Sequence, residues 1–223
     1  MQPLNSLLFA PHLRHNDKNY DEVRRLLKDL VIRNRTCRRF HQERPVSLDT
    51  LKELVDLARL APSGYNRQGL KYILFNQPEW TDRINDCLTW AGYIKGWKSP
   101  PEGEKPSAFI VMVRDVGLGP MLAQDQGFAA MCILLGAVER GLGGCFLIAV
   151  DKTRLRAVLD LGDGYEIEAV VAIGHPKEQI VLEEMGADGD VRYWRDEQGV
   201  HHVPKRSLAD IILTIPGGGR QDA

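Results

Sequence analysis

The sequence predicts an α/β or α+β fold, with helices packed around a small central sheet. Two observations lead there. Stretches with apolar residues every three or four positions alternate with single short apolar runs, so helices and strands follow one another along the chain. At 223 residues, 43% of them hydrophobic, the chain is long enough to bury a sizeable core, and no repeat or low-complexity linker divides it. Residues 1–223 therefore read as a single domain.

Residues 1–16 read as an irregular N-terminal arm. From Asp17 to Ile32 the residues Val23, Leu26, Leu27, Leu30 and Val31 recur at helical spacing and form one apolar face. Asn34–Phe40 breaks that pattern, and Pro45 marks a turn. Ser47 is placed to cap the next helix, with apolar positions Leu51, Leu54, Val55, Ala58 and Leu60. Pro62 disfavours helix at the residue before it, so this element should end near Ala61. Pro62–Asn66 is a turn, Lys71–Phe75 a short strand and Pro78–Leu88 a helix. Trp90–Lys105 carries Trp90, Tyr93 and Trp97 among glycines and prolines; it has no period and reads as a mobile or semi-ordered excursion. Ala108–Val113 is a buried strand. Gln124–Arg140 is a long helix whose small residues allow close packing. Cys145–Val150 is a second buried strand, Lys152–Leu159 a helix, and Glu166–Gly174 a third strand stopped by His175-Pro176. A charged loop, a short helix at Leu208–Leu213 and a glycine-rich tail complete the chain.

Composition excludes several classes. With 29 basic and 30 acidic residues the net charge is -1, which gives no overall attraction to nucleic acid or to an anionic membrane. The apolar runs fall far short of the roughly 20 residues that span a bilayer. Leu7–Ala10 is too short for a signal peptide and lacks preceding basic residues. Cys37, Cys87, Cys132 and Cys145 form no C-x-x-C pair, so no zinc or iron–sulfur spacing is present; scattered thiols fit a reducing, cytoplasmic setting.

Four constellations could carry chemistry. The first is Arg33-Asn-Arg-Thr-Cys-Arg-Arg-Phe40. Arg24, Arg25, Lys28, Arg33, Arg35, Arg38 and Arg39 stand against a single acid, Asp29. Guanidinium forks beside the Thr36 hydroxyl suit a phosphate. The same run also fits a solvated basic face or a nucleic-acid patch. In the second, Ala61–Gln68, the uncharged groups of Ser63, Asn66 and Gln68 sit in a Pro/Gly turn and suit the polar edge of a flat heterocycle; an ordinary turn fits equally. The third, Gly141-Leu-Gly-Gly144, follows a helix and precedes a strand, the reverse of a dinucleotide-binding turn. It could admit a cofactor to the backbone of the following strand, or simply end the helix. The fourth joins Tyr193-Trp-Arg-Asp196 to His201-His202-Val-Pro-Lys-Arg-Ser207. Adjacent histidines on a strand point apart, which argues against a metal pair. Lys205 and Arg206 suit a second phosphate arm or a surface role. No G-x-S-x-G elbow supports a serine hydrolase.

Taken together, these residues resemble the nitroreductase family of FMN-dependent oxidoreductases. Asn34-Arg-Thr-Cys-Arg-Arg-Phe40 stands where that family has a signature of the form Arg-Arg-Ser-x-Arg-x-Phe. Ala61, Pro62, Ser63, Asn66 and Gln68 match a second signature, with Gly69-Leu70 in place of its Pro-Trp. The Gly-Leu-Gly-Gly turn, the Gly-His-Pro strand end and the late basic pair fall in the family's order. The likeness covers about residues 22–213.

The resemblance implies a central mixed β-sheet surrounded by helices, in an intertwined homodimer with two shared FMN sites. Arg35, Thr36 and Arg38 would hold the phosphate and ribityl end, with Asn34 beside them and Lys205 or Arg206 closing from the other end of the chain. Asn34 replaces a common Arg, for which Arg33 could compensate. Pro62, Ser63, Asn66 and Gln68 would come from the partner subunit, and backbone N–H groups near Ile148 would meet the ring. About residues 90–106 would form a variable cover that sets the substrate. The implied activity moves electrons from NAD(P)H through FMN to a small planar acceptor such as a nitroaromatic or quinone. The rivals are a relative specialised for dehalogenation, enone reduction or flavin fragmentation, and a flavin-binding protein without efficient turnover.

Overall fold

The structure is a computed structural model that describes residues 18–213. The expected N-terminal arm and the glycine-rich tail lie outside those residues. Helix α1 runs Lys18–Arg33 and α2 Leu48–Arg59. The predicted cap is in place: Ser47 Oγ accepts from the Thr50 backbone N–H at 3.1 Å. Strand β1 (Leu70–Phe75), α3 (Pro78–Asn85), β2 (Ala108–Asp115), α4 (Ala123–Glu139), β3 (Gly143–Leu147), α5 (Lys152–Leu159) and β4 (Tyr165–Gly174) follow.

Four strands make the central sheet in the order β1-β2-β4-β3, and every neighbouring pair is antiparallel. The parallel component of the expected mixed sheet is reduced to a bridge between Thr36 and Gly144 at the β3 edge. The uninterrupted apolar runs of β2 and β4 have a different origin from parallel pairing. Both faces of the sheet are covered, so no position along Ala108–Val113 or Ala169–Gly174 meets water. Ala108, Ile110 and Met112 face a core shared with Leu51, Leu54 and Ala58 of α2 and Ala130, Ile133 and Ala137 of α4. Phe109, Val111 and Val113 face the opposite core, with Ile84 of α3, Leu155 of α5 and the buried Trp90. The result is three layers with the sheet in the middle. A bulge opposite Met112/Val113 makes Glu168 the extra residue in β4, and Arg114 gathers both Glu166 and Glu168.

Several boundaries differ from expectation. Strand β3 starts at Gly143 rather than Cys145 and stops at Leu147, short of Val150. Helix α3 stops at Asn85, and the next residues bridge Leu88 to Val150. The larger correction concerns the expected charged loop after Pro176. It contains β5 (Ile180–Glu184), β6 (Trp194–Arg195) and β7 (His201–Lys205), a second sheet of order β5-β7-β6 with β5 and β7 parallel. These strands are short, charged and half exposed, and β7 contains Pro204, so they lack the apolar signal of a core strand. Helix α6 (Leu208–Ile211) then begins with a full capping box between Ser207 and Asp210.

The segment from Trp90 to Lys105 has no helix or strand, yet it is tied down. Trp90 is 2% exposed. Thr89 N–H donates to the Ala149 carbonyl at 2.9 Å, and Phe40 N–H to that of Glu104 at 3.0 Å. Gln42 Oε1 accepts from the backbone of both Gly103 and Lys105.

Candidate functional site

The residue run Asn34–Phe40 leaves the end of α1 and lies along the open edge of β3. Cys37 N–H donates to the Gly144 carbonyl at 2.9 Å, and Thr36 bridges the same glycine. Phe40 is fully buried and bridges Pro176. This edge pairing turns the basic run into a wall. The opposite wall is β7 and the residues after it. Between them runs a groove of about 690 Å³, lined among others by Asn34, Arg35, Thr36, Arg38, Gly144, Tyr193, His201, Lys205 and Arg206. The two ends of the chain that sequence reading joined thus meet at one site.

Glycine makes the close edge packing possible. A Cβ on Gly144 would stand 2.7 Å from the Ala172 carbonyl oxygen and 2.6 Å from Leu134. Gly141, with φ +71°, ends α4 in the left-handed region. In sequence this cluster fits either a helix end or cofactor access. Gly141 serves the first, while Gly144 serves close approach between protein elements.

Charge in the groove is one-sided. Among the described residues no acidic residue lines it. Elsewhere Arg33, Arg39, Arg59, Arg114 and Arg140 each face a carboxylate. Among the described residues Arg35, Arg38, Lys205 and Arg206 make no salt bridge. Arg35 donates through Nη2 to the Val31 carbonyl at 2.7 Å, while its Nε is buried and finds no partner among the described residues. Burial lowers the Arg35 pKa from its ordinary value. Arg38 lies 4.6 Å over the Tyr193 ring. Unpaired guanidinium groups converging on an acid-free groove suit an anionic ligand. The volume is that of a small-molecule site, and Arg35 Nε has no acceptor among the described residues.

His201, which sequence reading considered only as a metal ligand, is 1% exposed beneath this wall. Its Nε2 is 3.4 Å from Arg38 Nη1. A guanidinium can only donate, so Nε2 accepts and the imidazole proton sits on Nδ1. Burial first, then Arg38, Arg195 and His202, push its pKa down to about 4. The neighbouring His202 points the other way, to Glu183 at 3.0 Å and Asp196 at 3.2 Å, and stacks on Trp194.

Other expected site residues stand apart. Arg33 donates to Asp29 at 2.7 Å and lines a neighbouring depression instead. Ile148 lies beyond the end of β3 with 65% exposure and is not among the groove's lining residues. Pro62, Ser63 and Gln68 line a separate cavity of about 230 Å³ with Asp125 and Tyr72. Within that turn Ser63 Oγ accepts from Gln68 N–H at 3.1 Å, and buried Asp125 accepts from Gly64 N–H at 2.9 Å. Tyr65, Asn66 and Gln68 all have positive φ, between 52° and 54°. Such strain in non-glycine residues persists only where the surroundings fix the backbone. Exposed Tyr65 and Asn66 project from this turn.

The segment expected to cover the site reaches the groove's rim. Tyr93 packs on Tyr193 with centroids 5.1 Å apart, and Arg195 lies 4.8 Å over Trp97. Among the described residues no helix is long and apolar enough to cross a membrane, and no group of three or more His, Cys, Asp or Glu is placed to hold a metal.

Comparison with known proteins agrees with this fold. The family model described as Nitroreductase family matches residues 32–96, which include both signature segments. An NADH dehydrogenase of Thermus thermophilus is 25% identical over 182 residues, covering 68% of this chain and 87% of that protein. A solved nitroreductase family protein of Streptococcus pneumoniae superposes with a TM-score of 0.60 at 16% identity, covering 73% of this chain and 96% of that one. An FMN- and NADPH-dependent nitroreductase of Sphigopyxis sp. strain HMH gives a TM-score of 0.58 at 20% identity, over 84% of this chain and 98% of that one.

Proposed function

We infer that this chain, a homologue of the nitroreductase family of FMN-dependent oxidoreductases, binds FMN and passes electrons from NAD(P)H to a conjugated acceptor such as a nitroaromatic or quinone. The observation that carries the reading is the acid-free groove with four unpaired cations, Arg35, Arg38, Lys205 and Arg206, drawn from both ends of the chain. Arg35, Lys205 and Arg206 would hold the phosphate, with Thr36 adding a hydroxyl. Arg38 stands further along the wall, stacked on Tyr193 and bonded to neutral His201. Its fixed positive charge would favour an electron-rich ring over an oxidised one. FMN, when bound, would supply the two-electron redox chemistry. The chain's part is to bind it, orient it and shield it from water.

The separation of Pro62, Ser63, Asn66 and Gln68 from this groove supports a homodimer in which each site takes its second wall from the partner. The apolar exposure of the helices supports it too. Leu26, Leu27, Val31 and Ile32 of α1, Phe128 and Met131 of α4, and Leu208 and Ile211 of α6 are all exposed in the single chain. Apolar surface on this scale marks an association face. About residues 90–106 would then cover the acceptor side, with Tyr93 and Trp97 giving a planar substrate its aromatic wall.

The test is direct. The purified protein should be yellow or take up FMN, and should bleach under anaerobic NADH or NADPH, then recover its colour with a quinone or nitroaromatic. A colourless protein that cannot take up FMN sinks the reading. A yellow protein that neither nicotinamide cofactor bleaches leaves a flavin-binding protein instead.

A further inference from the structure

Glu178 follows Pro176 and Lys177 just past the end of β4, and its side chain is 0% exposed. Its Oε1 accepts from two successive backbone N–H groups, those of Arg38 and Arg39, the latter at 3.2 Å. Its Oε2 accepts from Arg195 Nη2 at 2.8 Å. Arg195 in turn lies over Trp97. One buried carboxylate thus joins three segments distant in sequence: the basic arm along β3, the second sheet, and the aromatic segment at the groove's rim. Converging N–H groups favour an anionic acceptor, and a buried anion needs a compensating cation. Glu178 satisfies both requirements, one with each oxygen.

We propose that Glu178 is a positioning residue that sets the cofactor arm and the acceptor wall in one register. The names of those two parts rest on the flavin reading above; the linkage itself does not. Substitution should separate the two halves. In Glu178→Gln the amide oxygen can still accept from Arg38 and Arg39, but the amide nitrogen faces the Arg195 guanidinium, donor against donor. The arm is kept and the aromatic segment is released. In Glu178→Ala both are lost.

The experiment is amide hydrogen exchange on the full-length protein without ligand, beside FMN titration and quinone kinetics. In E178Q, amides of residues 36–40 should exchange at the wild-type rate while those of residues 90–99 exchange about tenfold faster. FMN affinity should stay near wild type, and the KM for quinone should rise at full FMN occupancy. In E178A both segments should exchange faster and FMN should bind at least about tenfold more weakly. The proposal is overturned if E178Q leaves residues 90–99 unchanged, or loosens residues 36–40 as much as residues 90–99. It is also overturned if folded E178A keeps wild-type protection at Arg38 and Arg39. Should E178A fail to fold, E178Q decides alone. Failure of the wild type to bind FMN would sink the flavin reading, while the exchange data would still judge Glu178.

Discussion

Replacing Arg35 by Ala should cost FMN affinity far more than it costs stability. Among the described residues this guanidinium makes one hydrogen bond, to the Val31 carbonyl at 2.7 Å near the end of α1. Such a bond contributes about 1 kcal/mol. Its buried Nε has no partner among the described residues. A charge-assisted bond to phosphate is worth about 1.5–3 kcal/mol, or roughly 10- to 150-fold in Kd. The assay is quenching of flavin fluorescence, with FMN and riboflavin titrated in parallel. R35A should lose much of its preference for FMN over riboflavin and keep its riboflavin affinity, because the cation acts on the phosphate alone. R35K should fall between, keeping the charge but not the fork. The salt dependence of FMN binding should also weaken, since one fewer cation is being screened. An unchanged FMN affinity in R35A, or an equal loss of riboflavin binding, would refute the phosphate role.

Four further outcomes follow from the same geometry. Lys205 shares the face of β7 with His201, whereas Arg206 lies just past the strand, so Lys205→Ala should weaken FMN binding about tenfold and Arg206→Ala less; the reverse order in titration would reassign the contact. His201 titrates at about 4 when folded and near 6.5 when unfolded, so the unfolded chain binds the extra proton first. Stability should therefore fall as pH drops from about 6.5 toward 4, by roughly 3 kcal/mol, and His201→Gln should flatten that segment of the urea midpoint against pH. Glu104, held at about 2 chiefly by its hydrogen bond from Arg39, should cause a separate loss only as pH falls from about 4.5 toward 2. Gly144→Ala would force a methyl against the Ala172 carbonyl at 2.7 Å, and should destabilise by about 1–3 kcal/mol; an unchanged urea midpoint would contradict the close packing.

How legible these features were in the sequence depended on how loudly each position speaks alone. The central strands were plain because burial on both faces leaves Ala108–Val113 and Val170–Ile173 without a polar residue. The Arg33–Phe40 run and the Pro62–Gln68 turn stood out in the sequence for their cations and their uncharged polar groups, but a solvated basic face and an ordinary turn fit the same residues. The second sheet was not. Ile180–Glu184 and His201–Lys205 alternate too weakly, and their pairing is set by contacts far apart in the chain. Glu178 was equally silent: within Pro176-Lys-Glu-Gln it looks like one more surface charge. Only the fold shows that two backbone N–H groups from residues 38 and 39 end on it. His201 stood out only as half of a histidine pair that does not suit a metal, and its contact with Arg38 at 3.4 Å could not be read from spacing. Arg33 stood out for its charge, yet helix spacing already gave it Asp29 one turn earlier.

The central claim is that the cation-lined groove is the FMN phosphate site of a shared dimeric centre. Calorimetric titration of the flavin-free protein with FMN, repeated at low and high salt and read beside sedimentation of the complex, tests it most directly. The account predicts about one FMN per chain, weaker binding at higher salt, and a complex of two chains. Absence of FMN binding, or salt-independent binding to a monomer, would contradict it.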